Sequence, residues 1–119
     1  MTLNAQKIGN IDVVGIVGAG TIGASWTALF LAAGLEVDVY DPSETVEAYV
    51  RDYVEHAWPS LQELGLATKG NPDRVNFVGT PEAAVSRAQF VQESVPERIE
   101  LKHDLFQRIE PKLTPEAIV

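Results

Sequence analysis

Three glycines near the start of the chain have a spacing that suits the binding of a dinucleotide. In "VGAGTIGASW" they stand at Gly18, Gly20 and Gly23, directly after an apolar, β-branched run. In a strand–turn–helix unit the first glycine permits a tight turn, and the second lets a pyrophosphate approach the backbone. The third lets the helix pack closely on the strand. The amides at the start of the helix then face the phosphates. The pattern predicts a dinucleotide-binding loop.

An acidic residue stands where such a loop needs one. Asp41 lies 18 residues after Gly23 and ends the alternating run "EVDVY", near the expected spacing of about 20 residues. A carboxylate at this place can accept hydrogen bonds from the adenosine ribose and repels a 2′-phosphate. No arginine follows it directly, so NAD is favoured over NADP. FAD proteins and other nucleotide binders share the motif, and a glycine turn beside an ordinary acid is the structural alternative.

The elements around these residues alternate between strand and helix. Apolar patterns and turn residues predict strands over 11–17, 36–40, 74–78 and 89–95, with a fifth strand beginning in "EAIV" at 116–119. Helices are expected over 21–33, from 46 to a break near Pro59, in a short segment ending at Gly65, over 80–88, and over 97–109. This order predicts an α/β fold of the Rossmann type, with a doubly wound, mostly parallel sheet.

Composition limits the classes of function. The 119 residues suffice for one domain, and the net charge of −8 disfavours nucleic acid as a partner. The absence of cysteine excludes disulfides and thiolate metal sites and suits a cytoplasmic location. No apolar run reaches the roughly 18 residues of a membrane span, and no metal site is expected. Because the chain stops at Val119 in or just after its last strand, we expect a fragment of a longer protein.

A second distinctive stretch is "FVQESVPERIELKHDLF", residues 90–106. Spacing alone predicts a capping Glu and a solvated charged helix face. Taken together, however, "GAGTIGASW", "VYDPS" and "QESVPERIELK" closely resemble the NAD-binding domain of the 3-hydroxyacyl-CoA dehydrogenase family. The resemblance runs from about Val13 to Val119. It is strongest to the branch that includes the L-carnitine and L-gulonate 3-dehydrogenases, which oxidise small, free 3-hydroxy acids.

The resemblance implies a set of residues that contact NAD. The pyrophosphate would lie on the glycine loop and the adenosine ribose on Asp41. The backbone after the fourth strand and two charged side chains would lie near the nicotinamide ribose. The full set implied is Gly18, Ala19, Gly20, Thr21, Ile22, Gly23, Asp41, Ser94, Val95, Pro96, Glu97 and Lys102.

The same resemblance implies what this chain lacks. A catalytic His, its partner Glu and a helical C-terminal domain that forms a homodimer would follow Val119. His56 and His103 fall within predicted helices, and we expect both to be structural or surface residues, so no catalytic residue is assigned here. Lys69 and Arg74 lie in a turn-rich stretch, and CoA binding is not assigned to them.

The family function would be oxidation of the 3-hydroxyl of a 3-hydroxyacyl-CoA or small 3-hydroxy acid, with hydride transfer to NAD. The alternatives are a non-catalytic NAD-sensing module and a structural protein. The fragment alone is expected to be inactive. Trp26 and Trp58 are expected in the core or at an interface.

Overall fold

A computed structural model describes residues 11–94, 99–114 and 117, and for residues 99–103 it describes the backbone alone. Strands and helices alternate along the chain. Within the described residues the strands are β1 (Val13–Val17), β2 (Glu36–Tyr40), β3 (Val75–Phe77) and β4 (Phe90–Glu93). The helices in the same part of the chain are α1 (Thr21–Ala32), α2 (Val46–Glu63), α3 (Pro81–Val85) and α4 (Ile99–Ile109), and a 3-10 turn follows at Glu110–Lys112.

The strands form one parallel sheet in the order β3-β2-β1-β4. The central pair has Gly15 opposite Asp38, and β1 also places Val17 opposite Glu93 of β4. The chain builds outward from β1 to β3 in one direction and then crosses to β4 on the other side of β1. In such sheets ligands bind at the carboxyl ends of the strands where this reversal occurs. The predicted α/β, Rossmann-type parallel sheet is confirmed.

Two layers of helices cover the two faces of the sheet. Helices α1 and α2 pack on the face that carries Val14, Ile16, Val37 and Val39, all of which are fully buried. Helices α3 and α4 pack on the opposite face in a second, smaller cluster that includes Val91 and Ile109. The near-continuous apolar sequence of β1 follows from this arrangement, because a strand covered on both faces has no side that needs polar residues.

Local signals set most of the helix ends. Gly34 and Gly65 have φ values of +92° and +73° just beyond the ends of α1 and α2, a conformation that glycine adopts at low cost. Thr80 caps α3 as predicted, because its Oγ1 accepts a hydrogen bond from the amide of Ala83 at 3.1 Å. Pro81 occupies the first helical position, where its missing N–H costs nothing.

The predicted break near Pro59 is wrong. Helix α2 runs without interruption through Pro59 to Glu63. A proline inside a helix removes one hydrogen bond, but the helix continues past it and ends with the Leu64 amide donating to Ser60 O at 3.0 Å. Burial of Leu61, which is 8% exposed, holds this last turn of the helix on the core.

A buried acidic residue on β2 organises the α3 side of the sheet. Asp38 is 3% exposed, and both of its carboxylate oxygens accept hydrogen bonds from Arg87 at 2.7 Å. Arg87 also donates to Glu36 at 2.6 Å, and Asn76 of β3 donates to both acids. The hydrogen bond from Arg87, helped by that from Asn76, lowers the pKa of Glu36 below its ordinary value. This network ties the segment after α3 to the two neighbouring strands.

The predicted fifth strand falls mostly outside the described residues, since 115–116 and 118–119 are not among them. The described helices include none that is long and apolar enough to cross a membrane.

Candidate cofactor-binding site

The glycine loop joins β1 to α1 at the carboxyl edge of the sheet. Gly18 has φ +93°, which lies in the left-handed region that favours glycine. A Cβ on Gly23 would overlap the carbonyl oxygen of Gly18 and lie 3.0 Å from its carbonyl carbon, so the first turn of α1 packs directly on the loop. A Cβ on Gly20 would meet no atom within 4 Å. The stereochemical needs of a tight turn and of close packing are therefore met at Gly18 and Gly23, and Gly20 faces open space.

Asp41 lies directly beside this loop, at the end of β2. Its Oδ2 accepts a hydrogen bond from the amide of Ala19 at 2.8 Å, and its Oδ1 accepts one from the amide of Ser43 at 2.9 Å. The amide of Gly18 donates to the carbonyl of Tyr40 at 2.8 Å. The end of β2 and the glycine loop are thus joined by consecutive hydrogen bonds, one to backbone and one to the Asp41 side chain.

A cavity of about 960 Å³ opens at this edge of the sheet. It extends from the glycine loop and the end of β2 to the end of β4 and the second half of α4. Its lining consists of Gly18, Gly20, Tyr40, Asp41, Pro42, Pro81, Ser94, Asp104, Leu105, Gln107 and Arg108. The cavity lies where the chain reverses between β1 and β4, which is the ligand crevice of this class of sheet.

Ser94 continues from β4 into this cavity. Its amide donates to the carbonyl of Val17 at 2.9 Å, which places it against the start of the glycine loop. Its Oγ is buried and has no hydrogen-bond partner among the described residues. A buried hydroxyl without a partner costs free energy, and a ligand with polar oxygens in the cavity could supply that partner.

The structure brings together only part of the predicted set. The glycine loop from Gly18 to Gly23, Asp41 and Ser94 all lie at the carboxyl edge of the sheet. Thr21 and Ile22 lie in the first turn of α1, where Thr21 Oγ1 is 3.1 Å from the hydroxyl of Tyr49 and Ile22 is 64% exposed. Val95, Pro96 and Glu97 lie outside the described residues, and so does the side chain of Lys102.

Several residues around the cavity were not predicted from sequence. Leu105 and Arg108 on α4 line it, and Arg108 forms an ion pair with Glu82 of α3 at 2.9 Å. Periodicity could have placed these α4 residues on one helix face, but it does not show that this face borders the crevice. The part played by Tyr49 also has no sequence signal, because a tyrosine in the first turns of an amphipathic helix is unremarkable.

Of the two histidines, the structure describes the side chain of His56 alone. His56 lies on the exposed surface of α2, with Nδ1 2.8 Å from the carbonyl oxygen of Asp52, and this hydrogen bond raises its pKa. It does not line the cavity, and the side chain of His103 lies outside the description. Within the part of the chain that is described, His, Asp and Glu residues form no group of three that could hold a metal ion.

Comparison with known proteins identifies the family. Residues 13–119 match the family model of the 3-hydroxyacyl-CoA dehydrogenase NAD-binding domain. An L-carnitine dehydrogenase of Burkholderia mallei is 48% identical over 112 residues, which is 94% of this chain and 35% of that protein. An L-carnitine dehydrogenase of Streptomyces coelicolor is 46% identical over 110 residues, with 92% and 35% covered. The chain thus spans about 35% of the length of these curated relatives.

Solved structures agree with this match. An NAD+-dependent 5-formyl-3-hydroxy-2-methylpyridine 4-carboxylic acid 5-dehydrogenase superposes with a TM-score of 0.78 and 32% identity, over 92% of this chain and 36% of that one. The (S)-3-hydroxybutyryl-CoA dehydrogenase PaaH1 of Ralstonia eutropha shares the fold, with a TM-score of 0.75, 23% identity, and 92% and 40% covered. With the glycine loop, Asp41 and the crevice in place, these matches show that the chain belongs to the 3-hydroxyacyl-CoA dehydrogenase family and forms its NAD-binding domain.

Proposed function

We propose that NAD binds in the crevice at the carboxyl edge of the sheet. The pyrophosphate is held by the amides of the glycine loop, the adenosine ribose by Asp41, and the nicotinamide ribose by the segment after β4. The residues proposed to hold the cofactor are Gly18, Ala19, Gly20, Thr21, Ile22, Gly23, Asp41, Ser94, Val95, Pro96, Glu97 and Lys102. The observation that carries the proposal is the open space at Gly20, since a Cβ there meets no atom within 4 Å.

The environment of Asp41 supports NAD rather than NADP. Its carboxylate is held in place by the amides of Ala19 and Ser43 at 2.8 and 2.9 Å, so it cannot easily turn away from a ligand. An ionised carboxylate at this position accepts hydrogen bonds from a ribose diol and repels a phosphate at the 2′ position. The buried Ser94 Oγ supports a ligand with polar oxygens on the other side of the crevice.

For the whole protein, we propose oxidation of the 3-hydroxyl of a small 3-hydroxy acid, such as carnitine or gulonate, or of a 3-hydroxyacyl-CoA. When bound, NAD supplies the acceptor for the hydride. The relatives named L-carnitine dehydrogenase, at 48% and 46% identity, favour the free acid. The base that removes the hydroxyl proton would lie in a C-terminal part outside this chain. This chain holds and orients the cofactor, and alone it has no turnover.

We also propose that the whole protein is a cytoplasmic homodimer whose other partners are small molecules. The outer face of α1 supports a subunit contact. Its side chains Ile22, Trp26 and Leu29 are 64%, 39% and 43% exposed, and the helix has no charged residue. Exposed apolar patches of this kind mark contact sites. The net charge of −8 would repel nucleic acid and anionic membrane surfaces.

A domain exchange tests the proposed function. In a chimera, this chain replaces the matching 112-residue region of the Burkholderia mallei L-carnitine dehydrogenase. We expect the chimera to reduce NAD with L-carnitine, and we expect its Asp41→Ala variant to raise the KM for NAD at least tenfold. Glu44→Ala, which removes a neighbouring exposed acid, is the matched control and should leave that KM unchanged. A chimera that folds and binds NADH but has no activity would contradict the proposal of a catalytic cofactor domain.

A further inference from the structure

The two residues that flank Gly20 each contact a side chain from the part of the chain that follows β2. Ala19 donates its amide hydrogen to Asp41 Oδ2 at 2.8 Å, and Thr21 Oγ1 lies 3.1 Å from the hydroxyl of Tyr49 on α2. Gly20 itself has open space around its Cα. Side-chain contacts thus hold the residue on each side of Gly20, while the space next to Gly20 stays open.

The hydrogen bonds of Asp41 leave room for a ligand. A carboxylate offers roughly four acceptor positions, and the amides of Ala19 and Ser43 occupy two of them. The other two remain for the hydroxyls of a ribose. Asp41 can thus hold the loop and the ribose at the same time.

Tyr49 acts on the other side of Gly20. It is 43% exposed and borders a small cavity of about 240 Å³ together with Gly20, Asp41 and Thr45. Its ring spans from α2 to the first turn of α1, where the hydroxyl meets Thr21. The contact joins α1, whose first amides face the crevice, to α2, which follows the loop that carries Asp41.

We infer that Asp41 and Tyr49 are positioning residues that hold the glycine loop in the shape that receives a pyrophosphate. This inference rests on the proposed binding of NAD. Glycine loses more conformational freedom on ordering than any other residue, and a loop ordered in advance does not lose that freedom when the ligand binds. In this account Asp41 contributes to the binding of ligands that have no ribose hydroxyl.

A pair of nucleotides separates positioning from ribose recognition. The 119-residue chain is titrated with ADP and with 2′,3′-dideoxy-ADP, which lacks both hydroxyls. We expect Asp41→Ala to weaken binding of dideoxy-ADP at least fivefold. If Asp41 only recognises the ribose, the same change leaves dideoxy-ADP unaffected or improves its binding, because a negative charge near the phosphates is removed. That outcome would overturn the inference. Glu44→Ala removes an exposed acid from the loop between β2 and α2, which also carries Asp41, and controls for the loss of charge.

The contact of Tyr49 is tested with Tyr49→Phe, which removes only the hydroxyl. We expect a two- to fivefold loss of ADP affinity, while Tyr53→Phe, one turn further along α2, changes nothing. Equal affinities for the two variants would exclude a role for the Tyr49 hydroxyl.

Amide hydrogen exchange keeps the inference testable without a ligand. The Ala19 amide should be protected in the unliganded chain and should lose at least tenfold protection in Asp41→Ala, while amides in β1 keep theirs. Unchanged protection of Ala19 would overturn the inference. If the wild-type chain binds neither nucleotide, the proposed function fails, and the exchange measurement still decides whether Asp41 holds the loop.

Discussion

Alanine substitutions at Gly20 and Gly23 should separate ligand binding from folding. A methyl group on Gly23 would overlap the Gly18 carbonyl oxygen and lie 3.0 Å from its carbonyl carbon. Both atoms belong to backbone, which has little freedom to move, so we assign a cost of about 3 kcal/mol, at the upper end of overpacking. Alanine regains about 1 kcal/mol of helix propensity. The net loss in the free energy of unfolding should be about 2 kcal/mol.

The same substitution at Gly20 should behave in the opposite way. Gly20 has φ −72°, which alanine adopts without strain, and its Cβ meets no atom within 4 Å. At the position before α1, replacing glycine by alanine changes stability by less than about 1 kcal/mol. The methyl group would, however, stand in the space proposed for the pyrophosphate. We therefore expect at least a tenfold loss of NADH affinity with nearly normal stability.

Urea unfolding followed by the fluorescence of Trp26 and Trp58, together with NADH titration, measures both effects. Wild-type stability in Gly23→Ala would refute the close packing of α1 on the loop. Wild-type NADH affinity in Gly20→Ala would refute the assignment of the open space to the dinucleotide. A Gly79→Ala variant is the control, because a Cβ there also meets no atom within 4 Å and Gly79 does not line the crevice.

Two further predictions concern the network on the α3 side of the sheet. Arg87→Met should lower the free energy of unfolding by about 2 kcal/mol, less than for a fully buried pair because Arg87 is 48% exposed; an unchanged urea midpoint would contradict this. Arg87 and Asn76 lower the pKa of Glu36 from 4.5, so ionised Glu36 contributes stability above about pH 4.5 that is lost as the pH falls through the lowered pKa. Glu36→Gln should therefore flatten the decline of stability below pH 4.5, measured by urea unfolding across that range, and an unchanged slope would argue against the Glu36 contacts.

The sequence was sufficient to predict the alternation of elements and the arrangement around the glycine loop. A tight turn, a closely packed helix and the end of the second strand each require a specific residue type, and Gly18, Gly23 and Asp41 meet these requirements. Their positions in the structure agree with that reasoning. The prediction of cofactor contacts at Val95, Pro96, Glu97 and Lys102 stays a prediction.

Other features depend on tertiary contacts that a single sequence does not display. Pro59 predicted a break, but the burial of Leu61 on the core outweighs one lost hydrogen bond. The pairing of Asp38 with Arg87 joins residues 49 positions apart, and no local pattern links them. Leu105 and Arg108 border the crevice only because α4 lies on the face opposite to α1, which follows from the crossover and not from the sequence of α4.

The most direct test of the central claim is a calorimetric titration of the 119-residue chain with NADH, repeated with NADPH and with the Asp41→Ala variant. The account predicts that NADH binds, that it binds at least tenfold more tightly than NADPH, and that Asp41→Ala removes this preference. Equal binding of the two cofactors by the wild-type chain, or binding of neither, would contradict the assignment of the crevice and of Asp41 to NAD.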